Sequence, residues 1–167
     1  AGLVAQRVGA IVETDWLRGA DQRRRAWMSF LAETSELLGQ SLDVDLTVAV
    51  VPQVVVPRLG QWCAVHLLDS AGLRLAALTH AEEDELPALR AALDGRLPEE
   101  LRTRLAALLR PAPPDSVRFT VPGEGVGVAL RTRGRVIGTL TVGRPATRPH
   151  TPEDVVLLGD VARRAAL

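Results

Sequence analysis

The sequence predicts an α+β fold: a central antiparallel sheet of about five to six strands, helices on both faces, and a long N-terminal helix. Three observations carry this. Residues 126–142, VGVALRTRGRVIGTLTV, read as two strands about Arg133-Gly134, where Gly134 supplies the positive φ that a two-residue hairpin turn needs. Both faces of that hairpin are apolar or small, so both require cover, and helices on the two sides of a sheet provide it. Apolar stripes at helical spacing mark both ends of the chain. With Arg133 and Gly134 as the turn, Val128 is expected opposite Thr139 and Leu130 opposite Ile137. Gly127, Ala129, Gly138 and Leu140 then share the other face, and its three small residues admit a helix or ligand close to the backbone.

The remaining elements follow in order. Leu3, Val4, Val8, Ile11, Val12 and Trp16 form a stripe over residues 3–18 with no cap upstream, so the helix is expected to begin earlier. The cluster Asp21-Gln22-Arg23-Arg24-Arg25 interrupts it, and Trp27, Phe30, Leu31, Thr34, Leu37 and Leu38 resume it as far as Gly39. Three adjacent arginines more often form a solvated helix face than a phosphate contact, and no ligand is assigned to them. Asp43 can cap a helix that runs to Leu59, closes at Gly60 and is kinked or interrupted by Pro52. Residues 61–68 and 73–80 form a hairpin around Asp69-Ser70-Ala71-Gly72. Its expected pairs are Leu68 with Leu73, His66 with Leu75, Ala64 with Ala77 and Trp62 with Thr79, leaving Cys63, Val65 and Leu67 on the opposite face.

Glu82-Glu83-Asp84-Glu85 places negative charge at the positive end of a helix, which accounts for the acidic run without a metal. A second helix runs from Pro98 through Leu101, Leu105, Leu108 and Leu109 until Pro111, Pro113 and Pro114 end it. Residues 116–121 alternate as an edge strand, and 122–125 form a loop. Thr151 as N-cap, Pro152 at the first helical position and the acids Glu153 and Asp154 start a helix over 152–167, expected to pair with the one carrying Trp27.

Composition excludes several classes. One domain plus an appended segment fits 167 residues, burying about two-thirds of the unfolded surface. Twenty basic and twenty acidic residues leave no net charge, which favours neither nucleic acid nor an anionic membrane as partner. Every basic residue is arginine, as the codon bias of a high-GC genome produces. The single cysteine, Cys63, excludes an intrachain disulfide, and no apolar run reaches the ~20 residues of a membrane span. A cytoplasmic location without membrane insertion is expected. The chain starts without Met and stops inside a helical pattern, so both ends are expected to be boundaries within something longer.

Chemical motifs are sparse. His66, His80 and His150 show no metal-binding spacing, so no metal site is assigned. Gly123-x-Gly125-x-Gly127 precedes a strand, whereas a phosphate loop opens a helix. No nucleophile is aligned with a base, and no catalytic residue is assigned.

Two stretches carry a resemblance. The pattern Gly134-x-Val136-Ile137-Gly138-x-Leu140-x-Val142, followed by Thr151-Pro152-Glu153-Asp154 and the helix after it, resembles the last third of a GAF domain. TrpCysAlaValHisLeuLeuAsp at 62–69, with LeuThrHisAla at 78–81, resembles the opening strands of GAF domains in actinobacterial multidomain regulators that carry a metal-dependent serine/threonine phosphatase or a sensor histidine kinase. The resemblance covers about residues 26–167, leaving 1–25 as a linker or signalling helix. The likeness of residues 4–10 to 161–167 fits the end of a preceding sensor domain, or chance similarity of two amphipathic helices.

What the resemblance implies is a non-catalytic sensor and dimerisation module, relaying an unknown small molecule through its terminal helices to a phosphatase or kinase domain outside this chain. Residues 82–110 would form a lid, with Trp62, His66 and Thr79 beneath it and Arg131 at the rim as an anion contact. A one-residue register change would put Cys63 and Val65 there instead. Family members bind cyclic nucleotides, bilins through a cysteine or haem through a histidine, and some reduce methionine sulfoxide. No cyclic-nucleotide signature is present, Cys63 lies on a strand instead of the lid, and one cysteine does not suit the reductase. His66 and His80 read more simply as hydrogen-bonded histidines than as haem ligands. No cofactor is assigned. A parallel homodimer is expected through Trp16, Trp27, Leu31, Val155 and Leu158, which would place fused output domains side by side. The alternatives are a small enzyme using the same pocket and a purely structural dimerisation module with no ligand.

Overall fold

Arg133 and Gly134 turn the chain with φ of 52° and 75°, and the strands that they join lie at the middle of the sheet. The computed structural model describes residues 44–166 together with Arg25, Ala26, Met28 and Ser29. The chain divides into two compact units, Ala1–Glu36 and Leu37–Leu167. In the first, the four described residues are helical. The expected long N-terminal helix, with Trp16, Trp27 and Leu31, falls outside the described residues, as does its expected pairing with the closing helix.

The second unit runs α1 (Val44–Val55), β1 (Trp62–Asp69), β2 (Gly72–His80), α2 (Leu86–Leu93), α3 (Glu99–Leu108), β3 (Val117–Phe119), β4 (Gly125–Thr132), β5 (Arg135–Gly143) and α4 (Pro152–Ala165). The strands form one five-stranded antiparallel sheet in the order β2-β1-β5-β4-β3. Leucines of α2 and α3 pack on one face with Trp62, Ala64 and Phe119. On the other face α1 lies against β1 and β2 while α4 lies against β4, and the two helices touch. The expected α+β architecture, five strands covered by helices on both sides, is what forms.

Local chemistry sets the elements. In α4 the Thr151 hydroxyl accepts the Asp154 N–H at 3.1 Å, and the Asp154 carboxylate accepts the Thr151 N–H at 2.9 Å. This is a reciprocal capping box followed by Pro152. Pro52 is accommodated inside α1, which ends three residues later and passes through a turn to Leu59. The acidic run, expected to start the helix, forms only a 3₁₀ turn, Glu83–Glu85, with no side-chain cap, and the α-helix starts at Leu86, after the last of the acids.

Both hairpins depart from the expected register at a bulge. In the first, Leu68 pairs with Leu73 and His66 with Leu75 as expected, but the shift between Val65 and His66 then brings Ala64 opposite Leu78, Cys63 opposite Thr79 and Trp62 opposite His80. In the second, the shift between Leu130 and Arg131 pairs Leu130 with Gly138, Ala129 with Thr139 and Val128 with Leu140. The expected pairs Val128–Thr139 and Leu130–Ile137 are therefore corrected. Gly127, Ala129, Thr139 and Thr141 share the α2–α3 face, while Gly138 and Leu140 belong to the other. One extra residue in a strand inverts the parity of everything beyond it.

Candidate functional site

Strand periodicity puts Trp62, Ala64 and His66 of β1 on the face beneath α2 and α3. Leu89, Leu93, Leu101, Leu105 and Leu108 are buried against that face. Trp62 meets Phe119 with ring centroids 5.9 Å apart and planes at 41°, within the range of favourable tilted aromatic pairs. Gly143 lies directly across from Trp62, and a Cβ built on it would overlap the indole. Gly125, paired with Gly143, makes the same room for the Phe119 ring. The close approach that small residues permit is thus used by the protein's own aromatic pair.

Farther along β1 the face becomes polar. His66 is 1% exposed, and its Nε2 lies 3.0 Å from the Leu93 carbonyl. A carbonyl can only accept, so Nε2 carries the proton and Nδ1 presents a lone pair. Thr139 faces His66 across the β1–β5 ladder and is fully buried. Neither His66 Nδ1 nor Thr139 Oγ1 has a hydrogen-bond partner among the described residues. The next residue on that face, Thr141, donates to the Ala64 carbonyl at 3.4 Å. Burial lowers the His66 pKa, outweighing the Leu93 carbonyl and the Asp94 charge, which act to raise it. The imidazole is therefore neutral near pH 7. An acceptor nitrogen and a hydroxyl thus belong to directly paired residues beneath an apolar helical layer, a chemistry that matches a small uncharged group able both to donate and to accept.

The sequence-predicted ligand residues separate into three places. Trp62 and His66 share the face beneath α2 and α3. Thr79 does not join them: the bulge turns it to the α1 face, where its hydroxyl accepts from Gln53 Nε2 at 2.6 Å. Arg131 is exposed and lines a cleft against α4 instead of the rim of the α2–α3 layer. Val155 is half-buried in that same cleft, while Leu158 is 1% exposed and packs inside the chain. Thr139 was missed because its position opposite His66 appears only once the bulge is counted. Cys63 is buried on the α1 face and its thiol is pushed up by burial, which keeps it protonated and unreactive. His80 accepts the Glu82 N–H through Nδ1 at 2.8 Å.

A second polar group fastens the start of α4. Arg144 pairs with Asp154 at 2.7 Å and donates to the Arg58 carbonyl at 3.1 Å. His150 Nε2 donates to the Leu59 carbonyl at 2.7 Å, and the His150 carbonyl accepts from Arg118 at 2.9 Å. Burial lowers the His150 pKa. For Asp154 burial acts upward, but hydrogen bonds from Thr151 and the Arg144 charge together bring its pKa down. Among the described residues, no three His, Cys, Asp or Glu side chains gather as a metal site would require, and no helix is long and apolar enough to cross a membrane.

The model of the GAF domain family matches residues 29–167. Among solved structures, the chain is similar to the GAF domain of a putative sensor histidine kinase from Pseudomonas syringae pv. tomato, with TM-score 0.62 and 18% identity over 88% of this chain and 87% of that one. It is similar also to the GAF domain of a phosphoenolpyruvate-protein phosphotransferase from Coxiella burnetii, with TM-score 0.59 and 13% identity over 84% and 90% of the two chains. For the GAF-B domain of DevS from Mycobacterium smegmatis the TM-score is 0.53 and the identity 21%, over 74% and 90%. No curated protein matches the chain in sequence. At these identities the structural likeness speaks to the fold, while the family match spans most of the sequence together with the five-stranded sheet and its two helical layers: the chain belongs to the GAF domain family.

Proposed function

We propose that this chain is a non-catalytic sensor module of a cytoplasmic signalling protein, taking a small polar molecule beneath α2 and α3 and passing its occupancy through α4 to an output domain such as a phosphatase or kinase. The observation that carries this reading is the pair of fully buried, unpartnered polar atoms on adjacent strands, His66 Nδ1 and Thr139 Oγ1. Buried polar atoms are normally hydrogen-bonded, and one left unpaired costs about 1–3 kcal/mol, so two together favour a small bonding partner. Trp62 and the leucines of α2 and α3 supply the apolar surroundings in which such hydrogen bonds gain strength. No cofactor is invoked. A parallel homodimer and a fused upstream sensor domain complete the proposal.

Native mass spectrometry of the full chain, purified without denaturation, tests it. A small non-covalent adduct is expected that disappears in His66→Ala and Thr139→Val. A second reading, a structural dimerisation module without ligand, is favoured by the leucines that fill the α2–α3 face. Bare chain in the spectrum, with dimers intact and no stabilisation of the chain by a metabolite library in thermal-shift assays, would decide for it.

A further inference from the structure

β3 is only three residues long and pairs with Gly125–Gly127 of β4, while β4 continues to Thr132. Among the described residues, no strand borders the outer edge of β4 beyond Gly127. The chain entering β3 runs through Pro113 and Pro114, which have no N–H to offer a neighbouring strand. Between this segment, the end of β4 and α4 lies a cleft of about 650 Å³. That size suits a small organic ligand.

The cleft has an apolar floor and a cationic rim. Val128, Val155 and Val156 form the floor, and Val156 is 62% exposed, high for a valine on a helix packed against a sheet. Arg118, Arg131 and Arg163 stand around it with a single carboxylate, Asp115, among the lining residues. Arg118 is tied to the His150 carbonyl and Arg163 to Asp160, so both guanidiniums are held at the rim; Arg131 has no ion-pair partner among the described residues. Gly159 of α4 also lines the cleft, and a Cβ built on it would meet nothing within 4 Å. In a chain of zero net charge, three arginines against Asp115 in the lining and Asp160 beside Arg163, next to the exposed Val156, leave a local cationic excess.

We infer that this cleft binds a small amphipathic organic anion, its apolar body over Val128, Val155 and Val156 and its acidic head, a carboxylate, sulfonate or phosphate, paired with Arg131 and Arg163. Bidentate acceptance from a guanidinium is the strong interaction available to such a head. The site lies across the sheet from His66 and Thr139 and does not depend on them. Because one wall is α4, an occupant bridges that helix to the edge of β4 and gives it an input separate from the α2–α3 face.

The probe is 8-anilinonaphthalene-1-sulfonate, titrated by fluorescence into the full 167-residue chain, with its uncharged relative N-phenyl-1-naphthylamine in parallel. Saturable binding at one site is expected. Replacing Arg131 and Arg163 together by Gln should weaken the sulfonate about tenfold, the effect of losing charged hydrogen bonds, and leave the uncharged probe unchanged. Gly159→Trp, which fills the open space, should abolish binding of both. Circular dichroism and thermal melting verify the fold of each variant; the arginine pair is exposed, so its result stands even where Gly159→Trp proves destabilising. Non-saturable binding, equal affinity in all folded variants, or loss of the sulfonate in His66→Gln with the arginine pair without effect would overturn the assignment.

Discussion

Gly143 is the residue on which the aromatic pair depends, because the Trp62 indole occupies the space that any side chain there would need. Gly143→Ala is expected to cost about 1–3 kcal/mol, as overpacking does, and urea denaturation measures it. Gly159→Ala should act oppositely, since its Cβ meets nothing and a helix interior gains about 0.5–1 kcal/mol from the exchange. The histidines make the protein acid-sensitive. Burial sets the folded pKa of both His66 and His150 below the ordinary 6.5, so the unfolded chain takes up protons first as pH falls. The stability that they contribute is complete above about pH 6.5, declines as pH drops through that value, and levels off below the folded pKa. Thermal midpoints should therefore fall between pH 7 and pH 5, and the double variant His66→Gln/His150→Gln should show a flatter profile. A midpoint that rises over this range would contradict the burial argument. At this scale Trp62 and His66 were legible in the sequence, because alternate positions of one uninterrupted half-strand share a face. Thr79 and Thr139 were not, since each lies beyond a bulge that changes the count.

Among the elements, α4 is the one whose start the sequence spells out. Its Thr-Pro-Glu-Asp opening supplies the N-cap, the first-position proline and the first-turn acids expected from residue types alone; the structure adds the reciprocal box, and Asp154 also pairs with Arg144 at a site where both side chains are mostly buried. Asp154→Ala removes the reciprocal cap and the ion pair together, with an expected loss of about 1–2 kcal/mol in denaturant titrations. Arg144 could not be assigned this role beforehand, because its partners, Asp154 and the Arg58 carbonyl, are brought together only by the finished fold. Turns and caps are chemically marked and so readable; bulges are backbone events with little residue signature. That is why both hairpins were found where they stand while their registers were each off by one beyond the shift.

For the molecule as a whole, the antiparallel sheet and its two helical layers follow from hairpins that are apolar on both faces. Its assembly is argued from the stripes at the N-terminal end, which lie outside the described residues. Changing Trp27 and Leu31 to Glu should convert a dimer to a monomer by light scattering; an unmodified chain monomeric at ~100 μM, far above the micromolar Kd of a modest ~8 kcal/mol association, would rule the helical dimer out. Leu158, expected at that interface, is committed to the interior, whereas Val156 is the exposed apolar residue of α4. The Arg144–Asp154 pair, the capping box and the His150–Leu59 bond all grip the first turn of α4 and none reaches its end. Beyond that turn Leu158, Val161, Ala162 and Ala166 are buried, so polar bonds decide where the helix begins while apolar contact keeps the remainder seated.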